Sequence, residues 1–398
     1  MIPEAAGMDD DRSRRTMPLS GILIADFGRV LAAPYATMLL ADLGAEVIKI
    51  ERPGTGDDTR AWGPPFADGE STYFLSVNRN KRSFAADLDD AADLAAVHEL
   101  VRRADVFVEN FRPGSLTRHG LDHDAARALN PEIIYCSVTG FGSAGGASLP
   151  GYDLLVQAVG GLMSVTGPGP GRPVKTGVAL VDVLTGLHAA VGILAALRQR
   201  EATGEGQRIE VNLLSTLLSS MVNQSAGFTA ADVVPGILGN RHPSIAPYEV
   251  FEAADRPFVL AVGNDRQFAA LCDVLGLPEL VEDARFATNP ARVAHVEQLA
   301  EQLSARLRTR SAADWYEQLT PKGVPCGPVN DLAGAFALAE DLGLRPRVSI
   351  DGSPGLVSNP IGLSATPPAY RSRPPRLGEH TAELRTWLNG HSSEEQQP

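Results

Sequence analysis

Residues 139–167 read TGFGSAGGASLPGYDLLVQAVGGLMSVTG, and the rest of the chain is organised around them. A glycine-rich loop without charged side chains ends in a Pro-Gly pair, and one carboxylate, Asp153, then opens the apolar segment Leu154–Met163. Because proline and glycine interrupt regular structure, we expect a helix to begin at Tyr152 or Asp153.

Two interpretations of Asp153 are open from the residues alone. A carboxylate at a helix start meets the positive end of the helix dipole and free backbone N–H groups, which favour its ionised form. An ionised carboxylate can act as a covalent nucleophile. An N-cap residue uses the same side chain only to satisfy the backbone, and caps are far commoner than nucleophiles.

The composition limits the class of protein. The chain has 398 residues, 44% of them hydrophobic and 21% charged, which is ordinary for a globular protein and long enough for two domains. The formal net charge of −13 argues against a general nucleic-acid binder, whose affinity comes from neutralising phosphates. A local basic pocket for a phosphorylated small molecule remains compatible with this charge.

Cysteine usage and hydropathy suggest a compartment. The three cysteines form no CxxC pair, so we predict neither a disulfide framework nor a cysteine zinc site. This cysteine usage predicts a protein of the reducing cytoplasm. The histidines show no metal-binding spacing, and we expect no metal. No apolar run of membrane-spanning length is expected. Residues 1–16 and 391–398 are polar and are expected to be a disordered leader and tail.

Strand-like and helix-like segments alternate in a large domain predicted at residues 17–222. The expected strands are GILIADFG, AEVIKIE, RSFAADL, DVFVENF, PEIIYCSV and RIEVNLL. Expected helices begin at Pro34 and cover Asp89–Arg103, His123–Leu129 and Leu180–Arg200. Such alternation predicts an α/β fold with a parallel, Rossmann-like sheet.

A smaller α+β domain is predicted at residues 248–324, after a loop-rich linker at 223–247. Its expected elements are a hairpin in FEAADRPFVLAV and amphipathic helices over Asp265–Leu275 and Arg292–Arg308. Residues 325–390 are rich in proline and are expected to return to the large domain.

Two motifs suggest where a ligand binds. The sequence Gly140-Phe-Gly142-Ser-Ala-Gly145 matches GxGxxG, but Pro150 lies where the helix of a dinucleotide site should run. Arg52 follows the AEVIKIE strand, where an arginine favours a ribose phosphate. Other basic and polar residues are either solvated surface groups or part of an anionic-nucleotide pocket at the strand ends: Arg60, Arg79, Lys81, Arg82, Asn110, Phe111, Arg112 and Arg118.

Ten strings in order carry a family resemblance: DFGRVLAAP, LGAEVIKIERPGTGDDTR, NRNKRS, DVFVENFRPG, TGFG, PGYDLLVQAVGG, GILAAL, TGEGQRIEV, GVPCGPV and LGEHT. Over residues 19–385 the chain resembles the class III CoA-transferases (the CaiB/BaiF group). That group contains formyl-CoA:oxalate and carnitine CoA-transferases and, more distantly, α-methylacyl-CoA racemase.

The resemblance implies a mechanism, a cofactor site and an assembly. Asp153 matches the nucleophile, which would form first a mixed anhydride and then an aspartyl-CoA thioester. The substrates would be an acyl-CoA and a small carboxylic acid, with no nucleic acid and no membrane involved. Two ring-shaped subunits would interlock as a homodimer. The implied coenzyme A-binding residues are Arg29, Leu31, Ala32, Arg52, Asn110, Phe111, Arg118 and Tyr152, the last of them next to the nucleophile in the sequence.

Departures from the family pattern leave the substrates open. Leu31 replaces a glutamine of formyl-CoA transferase, and no counterpart of its long glycine loop follows Arg241. A racemase is the nearest alternative, and Asp182 matches its second acid. Tyr152, however, replaces the histidine that a racemase needs as a base. A non-catalytic CoA-binding protein is the third possibility, and neither donor nor acceptor acid can be predicted.

Overall fold

The computed structural model describes residues 17–390. The predicted leader and tail lie outside the described residues, so both stay predictions. The strands are β1 (Leu23–Asp26), β2 (Glu46–Glu51), β3 (Phe66–Ala67), β4 (Glu70–Ser71), β5 (Lys81–Ala85), β6 (Val106–Glu109), β7 (Ile134–Thr139), β8 (Arg208–Asn212), β9 (Tyr248–Glu252), β10 (Pro257–Ala261), β11 (Cys326–Pro328), β12 (Arg347–Val348) and β13 (Leu356–Val357). The helices are α1 (Ala32–Asp42), α2 (Thr72–Ser76), α3 (Ala91–Arg103), α4 (His123–Leu129), α5 (Asp153–Val159), α6 (Leu162–Val165), α7 (Leu180–Thr203), α8 (Leu213–Ser220), α9 (Val222–Ala231), α10 (Asp265–Leu275), α11 (Glu279–Glu282), α12 (Asn289–Ala294), α13 (Val296–Leu307), α14 (Ala312–Leu319), α15 (Leu332–Asp341) and α16 (Thr381–Asn389).

Six strands form one parallel sheet in the order β5-β2-β1-β6-β7-β8. From β1 the chain adds β2 and then β5 on one side of the sheet. It then crosses to the other side of β1 and adds β6, β7 and β8 in turn. This is the strand order of a doubly wound nucleotide-binding sheet, whose ligands bind where the order reverses. The predicted α/β fold with a parallel sheet is confirmed.

Aromatic side chains cross one face of this sheet. Phe107 stacks between Phe27 and Tyr135, with ring centroids 4.5 and 4.7 Å apart. The Tyr135 hydroxyl donates to the Leu121 carbonyl at 3.1 Å, which satisfies its only polar atom in the core. Apolar side chains of α3 and α16 complete this layer.

Helices α1 and α7 pack closely against each other. A Cβ atom on Gly186 of α7 would lie 2.5 Å from the Ala32 carbonyl oxygen, so glycine permits this approach. By length and composition α7 is apolar enough to cross a membrane, so the expectation of no such run is wrong. The apolar residues of α7 serve packing within the fold: the helix packs on α1, β7 and β8, and 44% of its most apolar stretch is buried.

Buried ion pairs lie beneath the carboxyl ends of the strands. Lys81 Nζ contacts the Asp26 carboxylate at 3.0 Å, and Lys49 Nζ contacts Asp57 at 2.9 Å. All four side chains are buried. Removing one member of such a pair leaves an uncompensated buried charge, so these pairs fix the loops that follow β1 and β2.

Contacts between Cα atoms divide the chain into two units. The first contains the described residues up to Gly160, Thr176–Ala230 and those from Arg345 onward. The second contains Gly161–Lys175 and Ala231–Leu344. The domain limits drawn from the sequence stay a prediction.

The second unit is built on an antiparallel sheet in the order β11-β10-β9. Phe258, Leu271 and Trp315 lie in its core, where Trp315 Nε1 donates to the Leu307 carbonyl at 2.7 Å. The predicted β9–β10 hairpin and the helix at Asp265–Leu275 are confirmed.

The C-terminal segment covers β5, an edge strand of the parallel sheet. The Asn80 backbone N–H donates to the Ser372 carbonyl at 3.0 Å just before the strand. Within the strand, the Ser83 N–H donates to His380 Nδ1 at 3.2 Å and the Ala85 N–H to Thr381 Oγ1 at 2.9 Å. Side chains of the C-terminal segment therefore satisfy backbone groups at the exposed edge of a strand that lies early in the sequence.

Three local expectations differ from the structure. Helix α9 occupies the start of the expected loop-rich linker; none of its residues is buried, so no apolar periodicity signals it. The helix expected over Arg292–Arg308 is split at His295, whose φ of −118° and ψ of 29° interrupt the helical path between α12 and α13. The helix from Asp153 ends at Val159 because two glycines follow, and Gly161 has a φ of +90°.

Candidate active site

Asp153 is the first residue of α5, but its carboxylate is held by the start of α7. Oδ1 accepts the backbone N–H of Val181 at 2.8 Å and that of Asp182 at 3.2 Å. Ala179, the N-cap of α7, makes no side-chain capping bond, so Asp153 supplies the missing acceptor from another helix. Oδ2 accepts from Gln157 Nε2 at 2.5 Å. Three donors thus face an acceptor-only group.

Gln157 fixes the second oxygen of this carboxylate. Its side chain is buried, and its Oε1 accepts the Thr176 backbone N–H at 2.9 Å. Since the amide oxygen is committed to Thr176, the amide nitrogen must point toward Asp153. The carboxylate is therefore oriented at both oxygens by groups that are themselves anchored.

Gly140 and Gly151 bring the two ends of the loop after β7 into contact. A Cβ atom on Gly140 would lie 2.4 Å from the Gly151 Cα atom, so a larger residue would push the loop apart. The loop returns to the end of β7 immediately before Tyr152. The first helix after the GxGxxG match begins only at Asp153, so the dinucleotide interpretation lacks its strand-to-helix context.

Asp182 is a half-buried carboxylic acid next to Asp153. Within residues 17–390, no hydrogen bond or ion pair involves its carboxyl group. Burial, together with the nearby Asp153 charge, raises the pKa of Asp182 to about 7. Burial and the charges of the same two carboxylates raise the pKa of Tyr73 to about 12, so its hydroxyl remains a donor. The two neighbouring carboxyl groups therefore differ: one is saturated with donors, and the other holds a proton near neutral pH.

A basic cavity of about 240 Å³ opens at the carboxyl ends of β1, β2, β5 and β6. Arg29, Arg52 and Arg118 contribute cations, and Phe111 contributes an aromatic wall. Asn110 holds the Arg29 backbone from both sides, accepting its N–H at 2.8 Å and donating to its carbonyl at 2.7 Å. The cavity lies where the strand order reverses, the usual ligand position in this sheet type.

A second cavity, which we call the Asp182 cavity, measures about 380 Å³ and shares Arg29 and Phe111 with the basic cavity. It extends to Tyr152 and Asp182, the residues next to the Asp153 carboxylate. Every residue predicted to contact coenzyme A lines one or both cavities: Arg29, Leu31, Ala32, Arg52, Asn110, Phe111, Arg118 and Tyr152. The structure thus brings the predicted set together beside Asp153, and their roles toward coenzyme A stay predictions.

Four cations of the sequence set serve the scaffold instead of a pocket. Each pairs with a carboxylate of the sheet or of its flanking helices, and the pairs are Arg60 with Glu51, Arg79 with Asp42, Lys81 with Asp26 and Arg82 with Glu46. Long basic side chains can fold back onto the chain, so position at a strand end does not decide which cavity they enter. The sequence left these four open between solvated surface groups and pocket cations, and none of them lines the basic cavity or the Asp182 cavity. Arg112 lines the Asp182 cavity.

Two adjacent aspartates in GTGDDTR were not singled out from the sequence. Asp58 lies between two cations of the basic cavity, pairing with Arg52 Nη2 at 2.8 Å and with the Arg29 guanidinium. Asp57 points inward to Lys49. Burial alone would raise the pKa of the Asp57 carboxyl, but the Lys49 ammonium and the hydrogen bonds from Thr59 together outweigh burial and hold this pKa well below its usual range. The adjacent carboxylates Asp57 and Asp58, shortly after Arg52, are the sequence feature from which these ion pairs could have been predicted.

Comparison with known proteins assigns this arrangement to a class of acyl-CoA enzymes. The model of CoA-transferase family III matches residues 19–381. A succinate–glutarate CoA-transferase of Agrobacterium fabrum is 44% identical, over 94% of this chain and 96% of that protein. An acetyl-CoA:oxalate CoA-transferase of Acetobacter aceti is 42% identical, over 92% and 95%. A CaiB/BaiF family crystal structure from Brucella suis has a TM-score of 0.86 at 40% identity, covering 94% of this chain and all of that one.

The chain belongs to CoA-transferase family III. It is an enzyme that exchanges CoA between an acyl-CoA and a free carboxylic acid, and CoA thioesters are its substrates. The family predicted from the ten sequence strings is confirmed.

Proposed function

We propose that the protein transfers CoA from succinyl-CoA, or a similar short acyl-CoA, to a small dicarboxylic acid through a covalent intermediate on Asp153. The observation that carries this proposal is the Asp153 carboxylate, which three donors hold between Tyr152 and Asp182 in the structure, and both of these residues line the Asp182 cavity. Relatives named for succinate, glutarate and oxalate direct the choice of acids.

The chemistry proceeds in balanced steps. An Asp153 oxygen attacks the thioester carbonyl, the C–S bond breaks, and CoA leaves as a thiolate beside a mixed anhydride. The thiolate then attacks the Asp153 carbonyl carbon, the bond to the donor acid breaks, and that acid leaves as a carboxylate. The enzyme now holds an aspartyl-CoA thioester. A second acid repeats the two steps in reverse and leaves as the new acyl-CoA.

The basic cavity supports a position for the nucleotide end of CoA. Arg52 and Arg118 have exposed guanidinium groups, which suit the phosphates of a polyanion. Phe111 and Leu116 offer apolar surface between them. From there the pantetheine arm would pass Arg29 into the Asp182 cavity, which directs the thioester toward Asp153.

An exposed apolar face on α7 supports the predicted homodimer. Leu187, Val191 and Leu194 lie at helical spacing and are 39%, 65% and 39% exposed. Val222 and Phe228 of α9 are 70% and 53% exposed. Clustered exposed apolar side chains mark interaction surfaces. We assign a second copy of the chain as the partner, in the interlocked arrangement that the family resemblance implies.

Cysteine chemistry supports a cytoplasmic location. Burial, and to a smaller extent the charge of Glu109, raises the pKa of the Cys136 thiol to about 12. Cys272 is also buried, Cys326 is partly buried, and all three are free. Free thiols suit a reducing compartment.

A substrate panel with intermediate trapping tests the proposal. Purified enzyme receives succinyl-CoA or acetyl-CoA with one candidate acid at a time, and mass spectrometry identifies the CoA products. Hydroxylamine added after the donor alone should convert an aspartyl-CoA ester into a hydroxamate on the peptide that contains Asp153. New acyl-CoA without any Asp153 adduct would refute the covalent mechanism. Deuterium exchange at the α-carbon without transfer would favour the racemase alternative.

A further inference from the structure

Asp58 is a carboxylate in a part of the molecule that otherwise collects positive charge. One of its oxygens pairs with Arg52 Nη2 at 2.8 Å, and the other pairs with the Arg29 guanidinium. Within residues 17–390, the Asp58 side chain forms no other hydrogen bond or ion pair. Its two oxygens therefore lie where two oxygens of a bound anion would contact the same arginines.

The backbone around Asp58 is fixed, whereas its side chain is held only by the two arginines. The preceding residue, Asp57, donates its N–H to Glu51 at 3.0 Å and accepts the Thr59 N–H at 3.0 Å. The Asp58 side chain itself is 39% exposed. Rotation of this one side chain into solvent therefore releases both arginines without a movement of the loop.

Arg29 has a hydrogen-bond donor that no group in the described part of the chain uses. Its Nε atom is buried and has no hydrogen-bond partner within residues 17–390. Its backbone, by contrast, is bonded on both sides by Asn110, and the next residue, Val30, donates its N–H to Asp57 at 3.2 Å. Val30 has a φ of +66°, and strained backbone of this kind clusters at ligand sites. A guanidinium on such a fixed backbone, with an unused donor beside a cavity, suits an anionic ligand.

The ion pairs of Asp58 span the passage between the two cavities. Arg52 lines the basic cavity, Asp58 lines the Asp182 cavity, and Arg29 lines both. The path proposed above for the cofactor runs past Arg29, so a bound CoA meets these ion pairs. A single carboxylate offsets the charge of only one guanidinium, so the group as a whole still attracts a phosphate.

The same two arginines also suit the other substrate. A free dicarboxylic acid presents carboxylates, and arginine binds carboxylates in the same geometry as phosphates. Without Asp58, a small acid would therefore compete with the cofactor for Arg29 and Arg52. A carboxylate attached to the chain has an effective concentration on the order of millimolar, so it already occupies the position that such an acid would take.

We propose that Asp58 occupies the anion position on Arg29 and Arg52 in the free enzyme, excludes small carboxylic acids from it, and yields it to a phosphate group of the incoming acyl-CoA. The cofactor displaces Asp58 because its other phosphates and its apolar groups bind elsewhere in the basic cavity. A small acid offers only the carboxylate that Asp58 already supplies. Asp58 thus separates the binding sites of the two substrates, an assignment that rests on the position of CoA proposed above.

The test measures CoA binding by isothermal calorimetry for wild type, Asp58→Asn, Asp58→Glu and a control, Glu99→Gln, each with and without succinate. Glu99 also lies between two arginines, Arg102 and Arg103 of α3, but it lines neither cavity. Sodium chloride of equal ionic strength replaces succinate in the reference titrations, so general screening of charges is the same in both. Succinate is used at the highest concentration that leaves the wild-type affinity unchanged.

Asp58→Asn should bind CoA about threefold more tightly than wild type, because no internal carboxylate has to be displaced. Succinate should weaken CoA binding by this variant about threefold, since the acid now reaches Arg29 and Arg52. Asp58→Glu restores the charge and should recover resistance to succinate. Glu99→Gln should match wild type in every titration.

Two results would overturn the role of Asp58. Weaker CoA binding by Asp58→Asn would show that the carboxylate holds the arginines in place for the cofactor, and an unchanged response to succinate would show that it excludes no acid. Arg52→Ala separates this failure from a failure of the proposed CoA position. If Arg52→Ala weakens CoA binding while Asp58→Asn behaves as wild type, only the role of Asp58 is wrong. If Arg52→Ala binds CoA as wild type does, the position of CoA in the basic cavity is wrong, and so is the proposal built on it.

Discussion

The Asp153 carboxylate accepts the backbone N–H of Val181 at 2.8 Å, across a separation of 28 residues. This bond joins the first residue of α5 to the first turn of α7, a helix of 24 residues. The start of a helix favours a negative charge, so the contact stabilises α7 and orients the carboxylate at once. The N-cap and the nucleophile interpretations are thus compatible, although the helix that is capped is not the one that Asp153 begins.

Asp153→Asn should abolish CoA transfer while CoA binding persists. An amide oxygen can still accept the N–H groups of Val181 and Asp182, so the local backbone should stay in place. The amide is a poor nucleophile, and its nitrogen would face the Gln157 nitrogen. Calorimetry with CoA and a transfer assay check this, and substantial residual transfer in the variant would contradict the covalent mechanism.

Asp153→Ala tests the contact with α7 separately from catalysis. Loss of a capping acceptor should lower the free energy of unfolding by about 0.5–2 kcal/mol. Urea denaturation followed by circular dichroism measures this, with Asp124→Ala as an exposed control. No difference between the two variants would show that the hydrogen bonds to Val181 and Asp182 contribute nothing to stability.

Arg52→Ala should weaken CoA binding by about 1.5–3 kcal/mol, the range of a hydrogen bond to a charged group. If Arg52 contacts the 3′-phosphate, the affinity for dephospho-CoA should change less. Calorimetry on both ligands decides this, and Arg198→Ala, which removes an exposed arginine of α7, is the matched control. Equal losses for the two ligands would place Arg52 elsewhere along the cofactor.

The stability of the enzyme should depend on pH through Asp182. Its folded-state pKa of about 7 lies above the usual value of an aspartate, so the fold favours the neutral acid. The associated stability is present below the unfolded-state pKa and is lost as pH rises through about 7. Asp182→Asn should therefore raise Tm relative to wild type more at pH 8 than at pH 5. The same difference at both pH values would contradict this.

The homodimer should not dissociate into folded monomers. The exposed apolar stripe of α7 needs a covering partner, and interlocked rings cannot separate without unfolding. Analytical ultracentrifugation from micromolar to low nanomolar concentration should give one dimeric species. A folded monomer on dilution would refute the interlocked arrangement.

Much of the first unit could be predicted from local sequence. AEVIKIE, PEIIYCSV and RIEVNLL became β2, β7 and β8 because short runs that contain β-branched residues and are bounded by turn residues are typical of strands. Strands β3 and β4 have two residues each, too few for any period. Helix α9 was missed because it buries none of its residues.

The candidate site, like the first unit, could be predicted from the sequence only in part. The residues around the two cavities came from motifs that resemble a family, and the fold brought them together. The contacts of Asp153 with Gln157 and Asp182, and of Asp58 with Arg29, depend on where distant segments meet in three dimensions. No periodicity or spacing encodes such pairs. Equally, the sequence could not decide whether Arg60 and Arg79 enter a pocket, because their partners Glu51 and Asp42 approach them only in the folded chain.

The covering of β5 by the C-terminal segment has a consequence for synthesis on the ribosome. The outward N–H groups of Ser83 and Ala85 emerge early, but their partners, His380 and Thr381, follow 297 and 296 residues later. Until then the growing polypeptide displays an open sheet edge, the kind of surface on which nascent chains associate with one another. A product that terminates before His380 should thus aggregate, and shielding by a chaperone would be needed until this segment has emerged.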